Sequence, residues 1–119
     1  MRTLYSLKSC STCKRIISEL NLPDTVDIRD IKSQPLSESE LDNMAKMAGS
    51  YEALFSRRAQ LYKQRGLKDK ELSEQDIKAL ILEHYTFLSR PVLIFDNSIF
   101  VGNSPKTVAA AKARIYGND

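Results

Sequence analysis

Two cysteines three positions apart, Cys10 and Cys13, are the residues of this chain best suited to covalent chemistry. They enclose Ser11 and Thr12, directly after a short apolar run and directly before a stretch with helical spacing. A thiol placed there meets the free amides of a first helical turn and the positive end of the helix dipole, which favour its anion, the attacking form. Lys8 and Lys14 flank the pair and add to the positive field. The two sulfurs differ by position. Cys13 shares an inward face with Ile16 and Ile17, whereas Cys10 precedes the helix. Cys10 is therefore expected to be the exposed attacker, and Cys13 the partner that resolves a mixed disulfide.

The same spacing can supply half a zinc site. Here no other cysteine exists and His84 is the only histidine, so a four-ligand site would need unusual carboxylates and no metal is expected. Two inert core cysteines are the plainer alternative that spacing leaves open.

The elements that must position this pair can be read from periodicity. Thr3 to Leu7 is a short apolar strand of a kind buried on both faces. Cys13, Ile16, Ile17 and Leu20 repeat at i, i+3, i+4, i+7, one face of a helix that starts near Ser11 or Thr12 and ends at Asn21-Leu22-Pro23-Asp24. Val26 to Ile28, alternating with Asp27 and Arg29, predicts a half-exposed second strand. The middle is expected to be helical. Ser37-Glu38-Ser39-Glu40 is a capping box, followed by Leu41, Met44, Ala45 and Ala48 up to Gly49. Tyr51 to Arg65 carries Leu54, Phe55, Leu61 and Tyr62 around a polar break at Ser56-Arg57-Arg58, and stops at Gly66. Ser73-Glu74-Gln75-Asp76 starts another helix with Ile77, Leu80 and Ile81 inward.

The last third changes period. Val92 to Phe95 and Ile99 to Val101 are strand-like runs separated by the three residues Asp96-Asn97-Ser98, which predicts an antiparallel hairpin. Ser104 and Pro105 then fit the cap and first turn of a final helix ending near Gly117. The order is β-α-β, a helical block, then β-β-α: a single α/β domain over 1–119, with sheet-bearing halves at about 1–32 and 86–119 and a helical cap inserted at about 37–85.

Composition fits that reading. The 119 residues are 42% hydrophobic and 28% charged, ordinary for a globular domain and unlike a disordered or collagenous chain. The 18 Lys and Arg against 15 Asp and Glu leave +3, too small an excess to indicate nucleic acid. No run approaches the roughly 20 apolar residues of a membrane helix, and Arg2 followed by Thr3-Leu4-Tyr5-Ser6-Leu7 is too brief and polar for an export signal. A cytoplasmic protein without a membrane partner is expected, a compartment where a close cysteine pair suggests redox chemistry over a permanent staple. The basic stretch of Arg57, Arg58, Lys63, Arg65, Lys68 and Lys70 lacks interleaved aromatics and predicts a solvated face, not direct nucleic-acid binding. His84 fits a helix end, and Met44 and Met47 fit packing under the cap. Ser6 could donate to the Cys10 sulfur, though filling the strand is its simpler role.

The order of motifs resembles the arsenate reductase (ArsC)/Spx family, a branch of the thioredoxin-like superfamily. The resemblance runs through Leu4 to Lys14, Asp30-Ile31-Lys32, Pro35-Leu36-Ser37, Glu40-Leu41, Ser56-Arg57-Arg58 and Gly66-Leu67. It continues through Leu88-Ser89-Arg90-Pro91-Val92-Leu93-Ile94 and Val101-Gly102. It implies a thioredoxin-like α/β fold: a four-stranded mixed sheet, a helical cap between strands two and three, and a cis Arg90–Pro91 bond opposite Cys10. It also implies that Cys10 attacks an oxyanion such as arsenate while Arg90 and Arg58 hold the anion. Arg57 is the nearby substitute, and Ser56 takes the place of Arg58 in an alternative register. A guanidinium suits the task because its planar fork binds two oxygens and keeps its charge.

Two features depart from reductases that work with glutaredoxin: Asn103 stands where a third arginine is typical, and Cys13 is present. Both are similar to the Spx-like and ArsC-related branches. The implied activity is thiol oxidoreduction on an oxyanion or a glutathione-type disulfide. No cofactor is bound, glutathione or another thiol supplies electrons, and glutaredoxin or thioredoxin is the protein partner. The alternative is an Spx-like redox-sensing regulator that binds the RNA polymerase α-subunit.

Overall fold

A computed structural model describes residues 1–117. The described residues form two compact units, 1–34 with 90–117 and 35–89. The first carries a four-stranded sheet. Strands β1 (Arg2–Ser6), β2 (Asp27–Asp30), β3 (Val92–Phe95) and β4 (Ser98–Val101) lie in the order β2-β1-β3-β4. β1 runs parallel to β2 and antiparallel to β3, and β3 is antiparallel to β4. The sheet is mixed and the fold is α/β, as the resemblance implies.

Helices α1 (Ser11–Leu20) and α5 (Pro105–Ile115) belong to the same unit. The strand alternation puts Leu4, Leu93 and Phe95 on one sheet face, where they pack with Ile16, Leu20 and Ala111 from the two helices. Truncating a fully buried side chain such as Leu93 to Ala costs about 2–5 kcal/mol. Asn21 in the left-handed conformation ends α1, its amide donating 3.2 Å to the Ile17 carbonyl. Ser104 caps α5 from its side chain, with Pro105 at the first turn.

Strand boundaries differ from the sequence expectation in three places, the first being β1, which spans Arg2–Ser6 and not Thr3 to Leu7. β2 spans Asp27–Asp30, not Val26 to Ile28, because its parallel register runs from Thr3↔Asp27 to Ser6↔Asp30. Val26 instead enters the core, while Ile28 on this edge strand remains 53% exposed. The hairpin loop is shorter than expected: Phe95 pairs with Ser98, so only Asp96 and Asn97 turn the chain. Asp96 takes a φ of +56°, which Asp tolerates in a tight hairpin.

The second unit holds α2 (Glu38–Ala48), α3 (Gln60–Gln64) and α4 (Glu74–Glu83). Both α2 and α4 start with full capping boxes, Ser37 with Glu40 and Ser73 with Asp76. Gly49, at φ +103°, closes α2. Lys78 of α4 bridges Glu38 at 2.7 Å and Asp42 at 3.0 Å on α2. Met44 is buried, as its expected packing role requires.

Tyr51 to Arg65 is less helical than its composition suggests. A 3₁₀ turn at Glu52–Leu54 gives way to an extended Phe55 paired with Leu88. The Ser56 amide donates to Phe87 and the Ser89 amide to Leu54, both at 2.8 Å. Phe55 also stacks on Phe87 with centroids 5.7 Å apart. This long-range pairing outcompetes a continuous local helix. Leu80 is only half-buried, whereas Ile77 and Ile81 are buried as expected.

Candidate functional site

β1 ends at Ser6, and Leu7 to Cys10 turn the chain into α1. The Cys10 amide donates 2.9 Å to the Leu7 carbonyl, closing the turn. Cys10 is the N-cap residue of α1 with extended backbone, and its carbonyl accepts the first helical bond from Lys14 at 3.1 Å. The two thiols sit in contrasting surroundings: Cys10 is half-exposed and Cys13 buried, with no disulfide between them.

The electrostatics follow the same division. Partial burial pushes the Cys10 thiol upward, but it is outweighed by the Cys13 amide, the Cys13 thiol as donor, the Thr12 amide and the charge of Arg90. The net effect holds Cys10 below an ordinary thiol. The first amides of the helix thus act on the sulfur directly, with the charge of Arg90 as the smaller contribution. Burial raises Cys13, and the neighbouring Cys10 sulfur raises it further; the Leu7 amide and Arg90 offset this only in part. The surroundings favour the anion of one sulfur and disfavour that of the other.

Arg90 enters from the segment just before β3, where the Arg90–Pro91 bond is cis. The Gly102 amide donates 2.9 Å to the Pro91 carbonyl, tying this segment to the end of β4. Arg90 is half-buried, and its charge falls on both sulfurs. Ser6 is buried in β1, and its carbonyl accepts from the Ile31 amide at 3.0 Å. The first unit thus brings together Cys10, Cys13 and Arg90 beside cis Pro91.

Arg57 and Arg58 lie in the second unit, in the loop before α3, and both are exposed. Arg57 reaches Glu52 at 3.5 Å and lies over the Phe55 ring. The Arg58 guanidinium makes no hydrogen bond or ion pair among the described residues. Asn103, Lys8 and Lys14 are exposed in the first unit. His84 caps the end of α4, and its Nδ1 accepts from the Thr86 amide at 3.2 Å, consistent with a helix-terminal role. A crevice beside Pro91, lined by Leu4, Ile16, Leu93 and Phe100, has a volume of 10 Å³, room for about one water, and is core packing, not a substrate pocket.

Sequence reasoning missed Asp30. Its side chain accepts from the Lys8 amide at 3.0 Å and from the Ser33 hydroxyl at 3.0 Å. The Lys8 amide is the main reason its carboxyl is held below the usual range. Asp30 stands 20 residues after Cys10, so only the parallel β1–β2 register reveals the contact.

Known proteins resemble this chain over most of its length. The ArsC family model matches residues 5–111. Global transcriptional regulator Spx of Bacillus subtilis is 29% identical over 106 residues, covering 86% of this chain and 79% of the relative. Spx of Enterococcus faecalis is 30% identical over the same length and coverage. Among solved structures, an arsenate reductase from Vibrio cholerae superposes with a TM-score of 0.77 at 22% identity, covering 92% of this chain and 95% of its own. An arsenate reductase (ArsC) related protein from Brucella melitensis gives 0.70 at 23%, with 92% of each chain covered. These structural likenesses establish the shared fold. With its cysteine pair, cis-proline segment and mixed sheet in place, the chain belongs to the ArsC family and has Spx regulators among its relatives.

Proposed function

We propose that this protein is a thiol oxidoreductase of the arsenate-reductase-like kind, acting on an oxyanion or a glutathione-type disulfide. The observation that carries the reading is the asymmetry of the two sulfurs: a half-exposed Cys10 favoured as an anion and a buried Cys13 favoured as a thiol. On a glutathione mixed disulfide, the Cys10 thiolate attacks the glutathione sulfur. A new sulfur–sulfur bond forms, and the other substrate sulfur leaves as a thiolate that takes up a proton. Cys13 then gives up its proton and attacks Cys10 Sγ, forming the Cys10–Cys13 disulfide and releasing glutathione. Two protein thiols are oxidised and one substrate disulfide is reduced. With arsenate, the same two electrons convert As(V) to As(III), and one oxygen leaves as water. Glutathione or another thiol, directly or through glutaredoxin or thioredoxin, reduces the protein disulfide again.

Arg90 stabilises the attacking anion, and its guanidinium and that of Arg58 are the groups suited to an anionic substrate. The test is turnover of arsenate and of a glutathione mixed disulfide by the wild type and Cys10→Ser. Activity that depends on Cys10 supports the reading, and full activity in Cys10→Ser overturns it.

The curated relatives are named transcriptional regulators, which favours a second reading. In it, oxidation of the Cys10–Cys13 pair switches a protein surface that binds the RNA polymerase α-subunit. A pulldown with the C-terminal domain of that subunit, oxidised against reduced, separates the two. Binding in neither state removes the regulator reading.

A further inference from the structure

One peptide unit links the sheet to the reactive turn. The carbonyl of Leu7 and the amide of Lys8 belong to the same planar group, so fixing one end orients the other. The Leu7 carbonyl accepts the Cys10 amide at 2.9 Å, and the Lys8 amide donates to Asp30 Oδ1 at 3.0 Å. Asp30 is itself immobilised. The Ser33 hydroxyl donates to Oδ2 at 3.0 Å, the Gln34 amide donates to its carbonyl at 2.9 Å, and the neighbouring Ile31 amide holds Ser6 at 3.0 Å.

We propose that Asp30 is a positioning residue for Cys10: by clamping the Leu7–Lys8 peptide through its carboxylate, it sets where the Cys10 sulfur meets the first amides of α1. This deepens the thiol-oxidoreductase reading and rests on it. Asp30 touches no reacting atom. It works as a hydrogen-bond acceptor, because its negative charge alone would disfavour a nearby thiolate.

The test uses the full chain carrying Cys13→Ser, so that a single thiol titrates, followed by thiolate ultraviolet absorbance against pH. In this parent, Cys10 is expected to ionise below an ordinary thiol. Asp30→Asn keeps an acceptor for the Lys8 amide and should titrate with the parent. Asp30→Ala removes it and should raise the midpoint by about half a unit, a roughly threefold loss of thiolate near neutrality. A charge effect would move both variants downward, so it is distinguished by sign.

A depressed parent with an unmoved, folded Asp30→Ala overturns the proposal alone. A parent that ionises like an ordinary thiol overturns both the proposal and the reading it rests on. Should Asp30→Ala fail to fold, hydrogen exchange of the parent decides. A protected Lys8 amide supports the clamp, and exchange at the rate of an unstructured chain overturns it.

Discussion

The two ends of the sheet use similar side chains to opposite ends. Beyond β3, Asp96 is bonded by Arg2 at 3.0 Å and approached by the terminal amine and by Arg114, each at 3.9 Å. Arg2 and Arg114 both also lie over the Phe95 ring, at 4.2 and 5.1 Å. Charge there is spent on charge. Beyond β1, Asp30 is bonded by an amide and a hydroxyl, and the charge of Arg90 falls on two sulfurs. One end is a neutralised clasp. At the other end, backbone and guanidinium together favour an anion that can react. The arginines at the two ends are the same chemical group, so their partners decide which is structural.

The comparison is broken most severely by removing the nucleophile. Cys10→Ser should lower turnover by at least about 1000-fold, the scale seen when a nucleophile is lost. Cys13→Ser should instead stop after the first step and accumulate a Cys10 mixed disulfide, visible as a mass increase. Turnover that survives in Cys10→Ser would mean that the reactive end has been misassigned.

Arg90→Ala is expected to act next. Loss of a neighbouring cation should raise the Cys10 thiol and, with the anion's partner gone, cut reaction with an anionic substrate about tenfold. Arg90→Lys should restore the charge but not the planar fork, giving an intermediate rate. Equal rates for Ala and wild type would remove Arg90 from the site.

At the opposite end, Asp96→Asn should leave turnover unchanged and lower stability by no more than about 1 kcal/mol, because the pairs are exposed. A loss of activity there would erase the distinction between the ends. The smallest effect is a broad one of pH. Asp30, Asp42, Asp76, Glu83 and Asp96 are held below their usual range, in each case foremost by a hydrogen bond. A carboxyl lowered by folding stabilises above its unfolded value and loses that contribution as pH falls through its folded value. The melting temperature should therefore hold from neutrality to about pH 5 and decline below about pH 4, where unfolded carboxylates take up protons. A flat profile to lower pH would contradict these contacts.

Much of this was legible along the chain because the signals are local. The capping boxes at Ser37 and Ser73, the stop at Asn21 and the cap at Ser104 each need only three or four neighbouring residues. The exposed and buried members of the cysteine pair followed from one helical face. What escaped depends on partners distant in sequence. Phe55 is extended because Leu88 is its partner, and β2 is shifted because its register is set against β1. Asp30 stands in a stretch that resembles the family, but its contact with the Lys8 amide appears only in the folded chain. Periodicity reports which face a residue takes, but not which backbone amide waits on that face.

The central claim is that the helix start and Arg90 hold Cys10 as a thiolate while burial protects Cys13. Iodoacetamide labelling of the reduced wild type across pH, with the modified peptide mapped by mass spectrometry, tests it most directly. Rapid modification of Cys10 near neutrality, with a midpoint below an ordinary thiol and Cys13 unmodified until unfolding, is the predicted result. Labelling of both cysteines together at the pH of a free thiol would contradict it.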